Sequence, residues 1–244
     1  MPSSRSVRAF IVSRKNIGEA DRLVTFFSQE EGLIRAIAKG VRKIPSSRGG
    51  HLEPLTSVLA LLNESKAGMY VGMVETQEYF RELHEDGDAV MRVKRALSIF
   101  IKLFDTGQSI PELFDALCAM CVVLPSLSVE KRKLVEASLH LRMTRLAGVM
   151  PELAACATCS LPKTQEDIVI SSHEGVWRCR SCEGVVRDTS DLLSSRQFSV
   201  LRYLVAQPDD ASRIAITGEE AASVESAVQN LVSHAIGQPS MVYS

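Results

Sequence analysis

Cys156-Ala157-Thr158-Cys159 and, after nineteen intervening residues, Cys179-Arg180-Ser181-Cys182 form two C-x-x-C motifs. This spacing is typical of a structural zinc site, in which each motif turns two thiolates towards one metal ion. Four sulfur ligands fill a tetrahedral zinc and leave no position for water or substrate. The motifs therefore predict one structural Zn²⁺ held by Cys156, Cys159, Cys179 and Cys182, within a zinc-binding insertion at residues 151–189.

Two other interpretations of these cysteines stay open. A catalytic metal site would need a fourth ligand of another kind, and His173 falls in a turn rather than at ligand spacing. A redox switch is the second alternative, because thiolates without metal oxidise. A third C-x-x-C, at Cys118 and Cys121, lies inside an apolar helical run and predicts two buried core cysteines without metal.

The size and composition of the chain indicate more than one compact domain. It has 244 residues, of which 45% are hydrophobic, enough for two or three cores. Its N-terminus is polar and no run of eighteen apolar residues occurs, so neither a secretory signal nor a membrane span is predicted. The expectation is a cytoplasmic protein with no membrane partner, in which cysteines bind metal or are buried as thiols.

Positive charge is concentrated near the N-terminus. Residues 1–50 contain ten basic and four acidic side chains, about +6, although the net charge of the whole chain is −1. This asymmetry favours a module that binds a polyanion, attached to an acidic remainder. The alternative is a solvated surface whose charges serve only solubility.

Short runs rich in Val, Ile, Thr and Phe predict five strands in the first 80 residues. They are Val7–Ser13, Arg22–Ser28, Leu33–Lys39, Thr56–Leu62 and Tyr70–Thr76. Five short strands in this length fit a small Greek-key barrel, an OB-fold at residues 1–80, which commonly binds nucleic acid. Among its aromatic residues, most are expected in the core, so stacking on bases should contribute little.

Helical periodicity begins at Asp88 and continues, with the cysteine insertion between, to the end of the chain. The predicted helices follow Asp88, span Pro111–Leu124, follow Ser128 as far as Gly148, resume at Asp191 and span Glu219–Val232. They predict an α-helical domain at residues 81–150 and 190–244. The fold class is therefore multidomain α+β: an N-terminal OB-fold barrel, then an α-helical domain with an inserted four-cysteine zinc ribbon.

The basic residues of the barrel are the candidates for nucleic-acid contact. Four of them share a Gly-, Ser- and Pro-containing loop that could follow a phosphate backbone: Lys39, Arg42, Lys43 and Arg48. Secondary candidates lie on the strands and the first turn: Arg14, Lys15, Arg22 and Arg35. A second basic group, Lys131, Arg132 and Lys133 with Arg142 and Arg145, is either a solvated helix face or a site for an acidic partner.

Several segments resemble the bacterial recombination mediator family RecO. They are Gly18-Glu19-Ala20-Asp21-Arg22-Leu23-Val24-Thr25, Gly32-Leu33-Ile34-Arg35-Ala36-Ile37-Ala38-Lys39-Gly40-Val41-Arg42-Lys43 and Gly49-Gly50-His51-Leu52-Glu53-Pro54. Residues 141–151 and the cysteine insertion are similar to the same family. The likeness spans most of the chain and is weakest in its last 60 or so residues.

The resemblance implies a non-catalytic protein of DNA repair and recombination. Such a protein would bind single- and double-stranded DNA, anneal complementary strands, and help RecA replace single-strand-binding protein together with RecR. The implied partners are DNA, RecR, the C-terminal tail of single-strand-binding protein and, as a further candidate, RecF. Two other hypotheses remain: a zinc-ribbon adaptor for protein assembly with incidental DNA affinity, and a zinc-dependent enzyme, against which the absence of protease, NTPase and hydrolase motifs counts.

Overall fold

The structure is a computed structural model that describes residues 3–43, 50–150, 152–162, 165–171, 174–183 and 192–237. Two compact units divide the chain. One unit contains Met1–Leu97 and Phe104–Pro125, and the other contains Ser98–Leu103 and Ser126–Ser244. The division into residues 1–80, 81–150 with 190–244, and 151–189 stays a prediction.

A closed five-stranded barrel forms the main part of the first unit. Its strands are β1 (Ser3–Ile17), β2 (Asp21–Ser28), β3 (Gly32–Ala38), β4 (Ser57–Ser65) and β5 (Gly68–Glu78). Their order around the barrel is β1-β2-β3-β5-β4. All neighbours are antiparallel except β3 and β5, which meet at one parallel pair, Ile37 and Tyr70. The predicted OB-like barrel and α+β class are confirmed.

A β-bulge in β1 decides which of its side chains face outwards. The register with β2 shifts between Ile11 and Ser13. Before the bulge, Val7, Ala9 and Ile11 lie in the barrel core. After it, Arg14 pairs with the buried Val24, and Lys15 pairs with Leu23 on the outer face. The extra residue reverses the alternation of the strand, as bulges do.

Three helices follow the barrel in the chain: α1 (Arg81–Glu85), α2 (Gly87–Leu103), whose residues Ser98–Leu103 belong to the second unit, and α3 (Pro111–Val123). The segment before α3 is bonded to the start of β3, where Gly107 donates to the carbonyl of Leu33 at 3.2 Å. The ring of Phe114 on α3 meets that of Phe27 edge-on, with centroids 5.7 Å apart. Because Phe27 is 1% exposed, α3 belongs to the hydrophobic core of the barrel unit.

The helices of the second unit pack around α4 (Val129–Leu146), which contacts α6 (Ser195–Ala206), a 3₁₀ segment (Pro208–Arg213) and α7 (Gly218–Ala235). Capping boxes begin two of them: Ser194 with Gln197 on α6 and Thr217 with Glu220 on α7. Such reciprocal caps satisfy amide groups at the helix start that would otherwise lack partners. The helix predicted to resume at Asp191 begins instead at Ser195, and Asp191 lies outside the described residues.

A three-stranded ribbon belongs to the same unit. Strands β6 (Ile168–Ser171) and β7 (Val176–Cys179) form an antiparallel hairpin, and the short α5 (Arg180–Glu183) follows. The third strand, β8 (Leu192–Leu193), pairs with the other edge of β6. Leu193 was predicted to lie on a helix, but hydrogen bonding to β6 holds it in an extended conformation because that edge would otherwise be unpaired.

Candidate nucleic-acid interface and metal centre

The outer face of β1, β2 and β3 carries predicted DNA-binding residues. Lys15, Leu23 and Ile37 form one row across the three strands, and Ser13, Thr25 and Arg35 form the next. Lys15 and Arg35 are exposed. Within the described part of the chain, no acidic side chain lies within ion-pair distance of either. Two cations of one sheet surface are therefore not neutralised by any of these described residues.

The turn after β3 holds three more predicted residues, Lys39, Arg42 and Lys43, all exposed. Its backbone is fixed by hydrogen bonds: the amide of Gly40 donates to Asp21 Oδ1 at 2.8 Å, and that of Arg42 donates to the carbonyl of Ala20 at 3.0 Å. Gly40 takes a positive φ of 64°, a conformation that glycine adopts without a side-chain clash. The cations of this turn are thus held beside the β1–β2 turn.

Three arginines gather at one end of the barrel. Arg14 forms an ion pair with Glu53, Arg22 donates to Asn16 Oδ1 at 3.3 Å, and Arg42 donates to the carbonyl of Gly18 at 3.1 Å. Burial and the positive charge of Arg14 lower the pKa of Arg22, and Arg42 acts in the same direction. Glu53 opposes both effects and neutralises Arg14, so Arg22 and Arg42 supply the remaining positive charge at this end of the barrel.

Seven of the eight predicted DNA-binding residues therefore fall into two neighbouring groups. Lys15, Arg35, Lys39 and Lys43 are exposed on the outer face and its adjoining turn, and we call these four the outer cations. Arg14, Arg22 and Arg42 share the barrel end. Arg48 lies outside the described residues. The sequence placed the main candidates on one loop and the secondary candidates on the strands, and the fold brings members of both sets onto the outer face and its adjoining turn.

The aromatic side chains of the barrel are mostly buried. Phe10, Phe26 and Phe27 are at most 1% exposed, which confirms their prediction as core residues. Tyr70 is half-buried, and the Lys39 Nζ lies 4.5 Å from the centre of its ring. No sequence pattern predicts this contact, because it depends on the parallel pairing of β3 with β5.

The four predicted metal ligands lie together. The sulfur atoms of Cys156, Cys159, Cys179 and Cys182 are all within 4.8 Å of one another, and those of Cys159 and Cys179 are 3.7 Å apart. Around a tetrahedral zinc with bonds of about 2.3 Å, neighbouring sulfurs are about 3.8 Å apart. The cluster therefore fits one four-coordinate ion. Its all-sulfur donor set is typical of zinc or of iron.

Backbone amides prepare the buried Cys156 to bind as a thiolate. Burial raises its pKa, but amide N–H groups of Cys159, Cys179 and Thr158 directed at the sulfur lower the pKa to about 6 overall. Burial and the sulfurs of Cys159 and Cys156 raise the pKa of Cys179 to about 12. Four thiolates so close repel one another, so a bound cation is what allows all four to ionise together.

Trp177 anchors the ribbon, a role that the sequence did not reveal. It is completely buried, its Nε1 donates to the carbonyl of Leu153 at 3.2 Å, and its ring lies 4.8 Å from that of Phe198 on α6. The amide of Ala157, inside the first C-x-x-C motif, donates to the carbonyl of Trp177 at 3.0 Å. Trp177 thus connects the cysteine cluster, through its backbone, with α6, through its ring.

The second basic group predicted from sequence contacts its own unit. Arg142 forms an ion pair with Asp209 at 2.6 Å, and Lys133 forms one with Glu225 at 3.7 Å. Arg132 and Arg145 donate to the carbonyls of Leu127 and Val205. These cations stabilise packing around α4, so a site for an acidic partner at this position would have to compete with these contacts.

The remaining two cysteines lie apart from this cluster. Cys121 is 1% exposed and Cys118 is half-buried on α3. Burial raises the pKa of Cys118 to about 11 and that of Cys121 well above its ordinary range. Both therefore remain protonated thiols at neutral pH, as the prediction of core cysteines requires.

Alkylation should distinguish the four clustered cysteines from Cys118 and Cys121. After treatment with a chelator at pH 8, we expect iodoacetamide to modify the four clustered cysteines at least about tenfold faster than Cys118 and Cys121, because loss of the metal opens the ribbon and exposes its thiols, whereas burial keeps Cys118 and Cys121 protonated. Peptide mapping by mass spectrometry would measure the rates, with the denatured chain as the control in which all six react. Labelling of Cys118 as fast as Cys159 would contradict its assignment to the core.

No helix in the described ranges combines the length and the apolar composition that a membrane crossing requires.

Comparison with protein families gives two matches that together cover most of the chain. Residues 1–75 match the family model "Recombination protein O N terminal". Residues 84–241 match the model "Recombination protein O C terminal". The first range contains β1 to β4 and most of β5, and the second contains the helices from α2 onwards and the ribbon.

Curated bacterial proteins named "DNA repair protein RecO" are similar to this chain. That of Heliobacterium modesticaldum is 31% identical over 221 residues, covering 86% of this chain and 77% of the relative. That of Roseiflexus sp. (strain RS-1) is 28% identical over 227 residues, covering 93% and 79%. That of Desulfitobacterium hafniense (strain DSM 10664 / DCB-2) is 31% identical over 175 residues, covering 72% of this chain but only 63% of the relative.

Proposed function

Because this chain belongs to the RecO family of recombination proteins, we propose that it is a non-catalytic mediator of DNA repair. It would bind single- and double-stranded DNA, anneal complementary strands, and assist the loading of RecA onto DNA coated with single-strand-binding protein. The observation that carries this proposal is the group of outer cations on the barrel. Lys15, Arg35 and Lys43 have no ion-pair partner among the residues that the structure describes, so their charges remain available to phosphate.

The proposed binding mode follows from the chemistry of this surface. Lysine and arginine neutralise phosphates and release counterions without reading bases. The phenylalanines of the barrel are buried, so base stacking adds little to the affinity. A strand held by its backbone keeps its bases free to pair. Two complementary strands, each partly neutralised, repel one another less, which supports annealing as the resulting activity.

The rest of the chain is proposed to serve assembly. RecR, the acidic, apolar tail of single-strand-binding protein and RecF are proposed partners of the helical residues 81–150 and 190–244, with residues 1–80 as the DNA-binding module. The insertion at residues 151–189 is proposed to hold one structural Zn²⁺ through Cys156, Cys159, Cys179 and Cys182. The action is proposed to take place in the cytoplasm, at the nucleoid.

Removing three outer cations tests the proposal in the full chain. We expect the Lys15→Ala, Arg35→Ala, Lys43→Ala variant to bind a single-stranded oligonucleotide about 10- to 100-fold more weakly at low salt, and the slope of log affinity against log salt to fall by about 2. Fluorescence anisotropy at several salt concentrations measures both. The variant should also anneal complementary oligonucleotides more slowly.

Two comparisons sharpen this experiment. The matched control, Arg81→Ala, Lys94→Ala, Lys102→Ala, removes three exposed cations from α1 and α2 and should bind as the wild type does. Arg14→Ala should cost less than about threefold, because Glu53 already neutralises Arg14. If the outer-cation variant bound DNA as the control does, while the chain still bound a recombination partner, the adaptor hypothesis would replace this proposal.

A further inference from the structure

One outer cation, Lys39, is in contact with an aromatic ring. Its Nζ lies 4.5 Å from the centre of the Tyr70 ring, a cation–π distance at which the ammonium is attracted to the face of the ring. Tyr70 is half-buried and Lys39 is exposed. The ring therefore presents a fixed surface to a long side chain that would otherwise move through many rotamers.

Strand pairing and backbone hydrogen bonds fix the positions of Tyr70 and Lys39. Tyr70 pairs with Ile37 across the junction of β3 and β5, and Lys39 follows Ile37 by two residues, in the turn directly after β3. Beyond Lys39, the Gly40 amide is bonded to the carboxylate of Asp21 at 2.8 Å. Because the chain is held on both sides of Lys39, the position of its ammonium depends mainly on the side-chain torsions, which the ring restricts.

We propose that Tyr70 is a positioning residue that holds the Lys39 ammonium at the edge of the outer face for contact with a DNA phosphate. This inference rests on the proposed function, because it concerns the same surface. Lysine loses rotamer freedom when it binds a phosphate. A lysine already ordered by an aromatic ring loses less of that freedom, so the ring strengthens binding without touching the DNA.

A different role for Tyr70, stacking on a base, would give different results. Stacking needs an unpaired base and adds to affinity whether or not Lys39 is present. Positioning acts through Lys39 alone, and it serves single- and double-stranded DNA alike because both carry phosphates. The two roles therefore differ in a double-mutant cycle and in the form of DNA that responds.

The experiment measures the affinity of the full chain for a single-stranded and a double-stranded oligonucleotide in four variants. We expect Lys39→Ala to weaken binding about fivefold and to lower the salt slope by about 0.7 to 0.9. Tyr70→Leu should weaken binding of both DNA forms by about two- to threefold, and the double variant should match Lys39→Ala rather than the product of the two effects. Tyr70→Phe keeps the ring face and should bind as the wild type does.

Tyr79→Leu is the matched control, since its ring lies against His84, with centroids 4.4 Å apart, and it should leave the affinity unchanged. If the losses of affinity caused by Lys39→Ala and Tyr70→Leu multiplied in the double variant, stacking would replace positioning. The same would follow if Tyr70→Leu weakened the binding of single-stranded DNA alone. An effect of Lys39→Ala with none from Tyr70→Leu would overturn this inference alone. Wild-type protein without salt-dependent DNA binding would overturn the proposed function as well.

Discussion

Cys179→Ser is expected to abolish metal binding, unfold the ribbon and shift the fluorescence of Trp177 to longer wavelength. Trp177 is the only tryptophan in the chain and is completely buried beside Phe198, so its emission reports this module directly. Small zinc domains gain about 10 to 16 kcal/mol from binding the metal, and losing one of four ligands should lower stability by at least about 3 kcal/mol. Incubation of the wild type with a chelator should give the same shift.

Metal analysis and a second serine variant complete this test. The purified wild type should contain about one zinc per chain, since four sulfurs close one tetrahedral site, whereas iron in the site would colour the protein. The control variant is Cys118→Ser, because Cys118 lies on α3 outside the cluster. It should keep the metal content and the emission spectrum of the wild type. A Cys179→Ser protein with unchanged metal content would show that this cysteine is not a ligand.

Gly32→Ala is expected to destabilise the barrel unit by about 3 to 5 kcal/mol, through backbone strain and overpacking together. Gly32 has a φ of 69°. A methyl group there would overlap the carbonyl oxygen of Gln108 and would lie 2.5 Å from its carbonyl carbon. Neither atom can rotate away, because both belong to the backbone of the segment that the Gly107 amide bonds to Leu33. Denaturant unfolding followed by circular dichroism would measure the loss.

Gly18→Ala separates strain from overlap. Gly18 has a similar φ of 57°, but nothing lies within 4 Å of an added methyl group. It should therefore cost only about 1 kcal/mol, the strain of the left-handed conformation. If both variants were equally stable, the close approach of residues 104–109 to β3 would not contribute to the stability of this unit.

Features that depend on local pattern could be predicted from the sequence. Alternation and turn residues identified all five strands of the barrel, and the spacing of the two C-x-x-C motifs identified four sulfurs that the fold brings within 4.8 Å of one another. Val7, Ala9 and Ile11, at every second position of β1, follow the same alternation. In each case the residues that determine the structure are close in sequence, so the pattern contains the information.

Features that depend on an irregularity or on distant partners could not be predicted. The bulge after Ile11 reverses the side on which Arg14 and Lys15 lie, and no residue type marks it. The Tyr70 ring meets Lys39 only because β5 returns beside β3. Leu193 joins the ribbon, although its apolar spacing with Val200 and Leu204 is helical, because the free edge of β6 offers hydrogen bonds.

The contact of α3 with the barrel has a consequence for synthesis on the ribosome. The last barrel strand ends at Glu78, but Phe27 packs against Phe114, 36 residues later. At a synthesis rate of about 5 to 20 residues per second, Phe114 is added roughly 2 to 7 s after the last barrel strand is complete. During that time the ring of Phe27 in the nascent chain is not packed against Phe114, and the cell must protect this exposed side chain from aggregation.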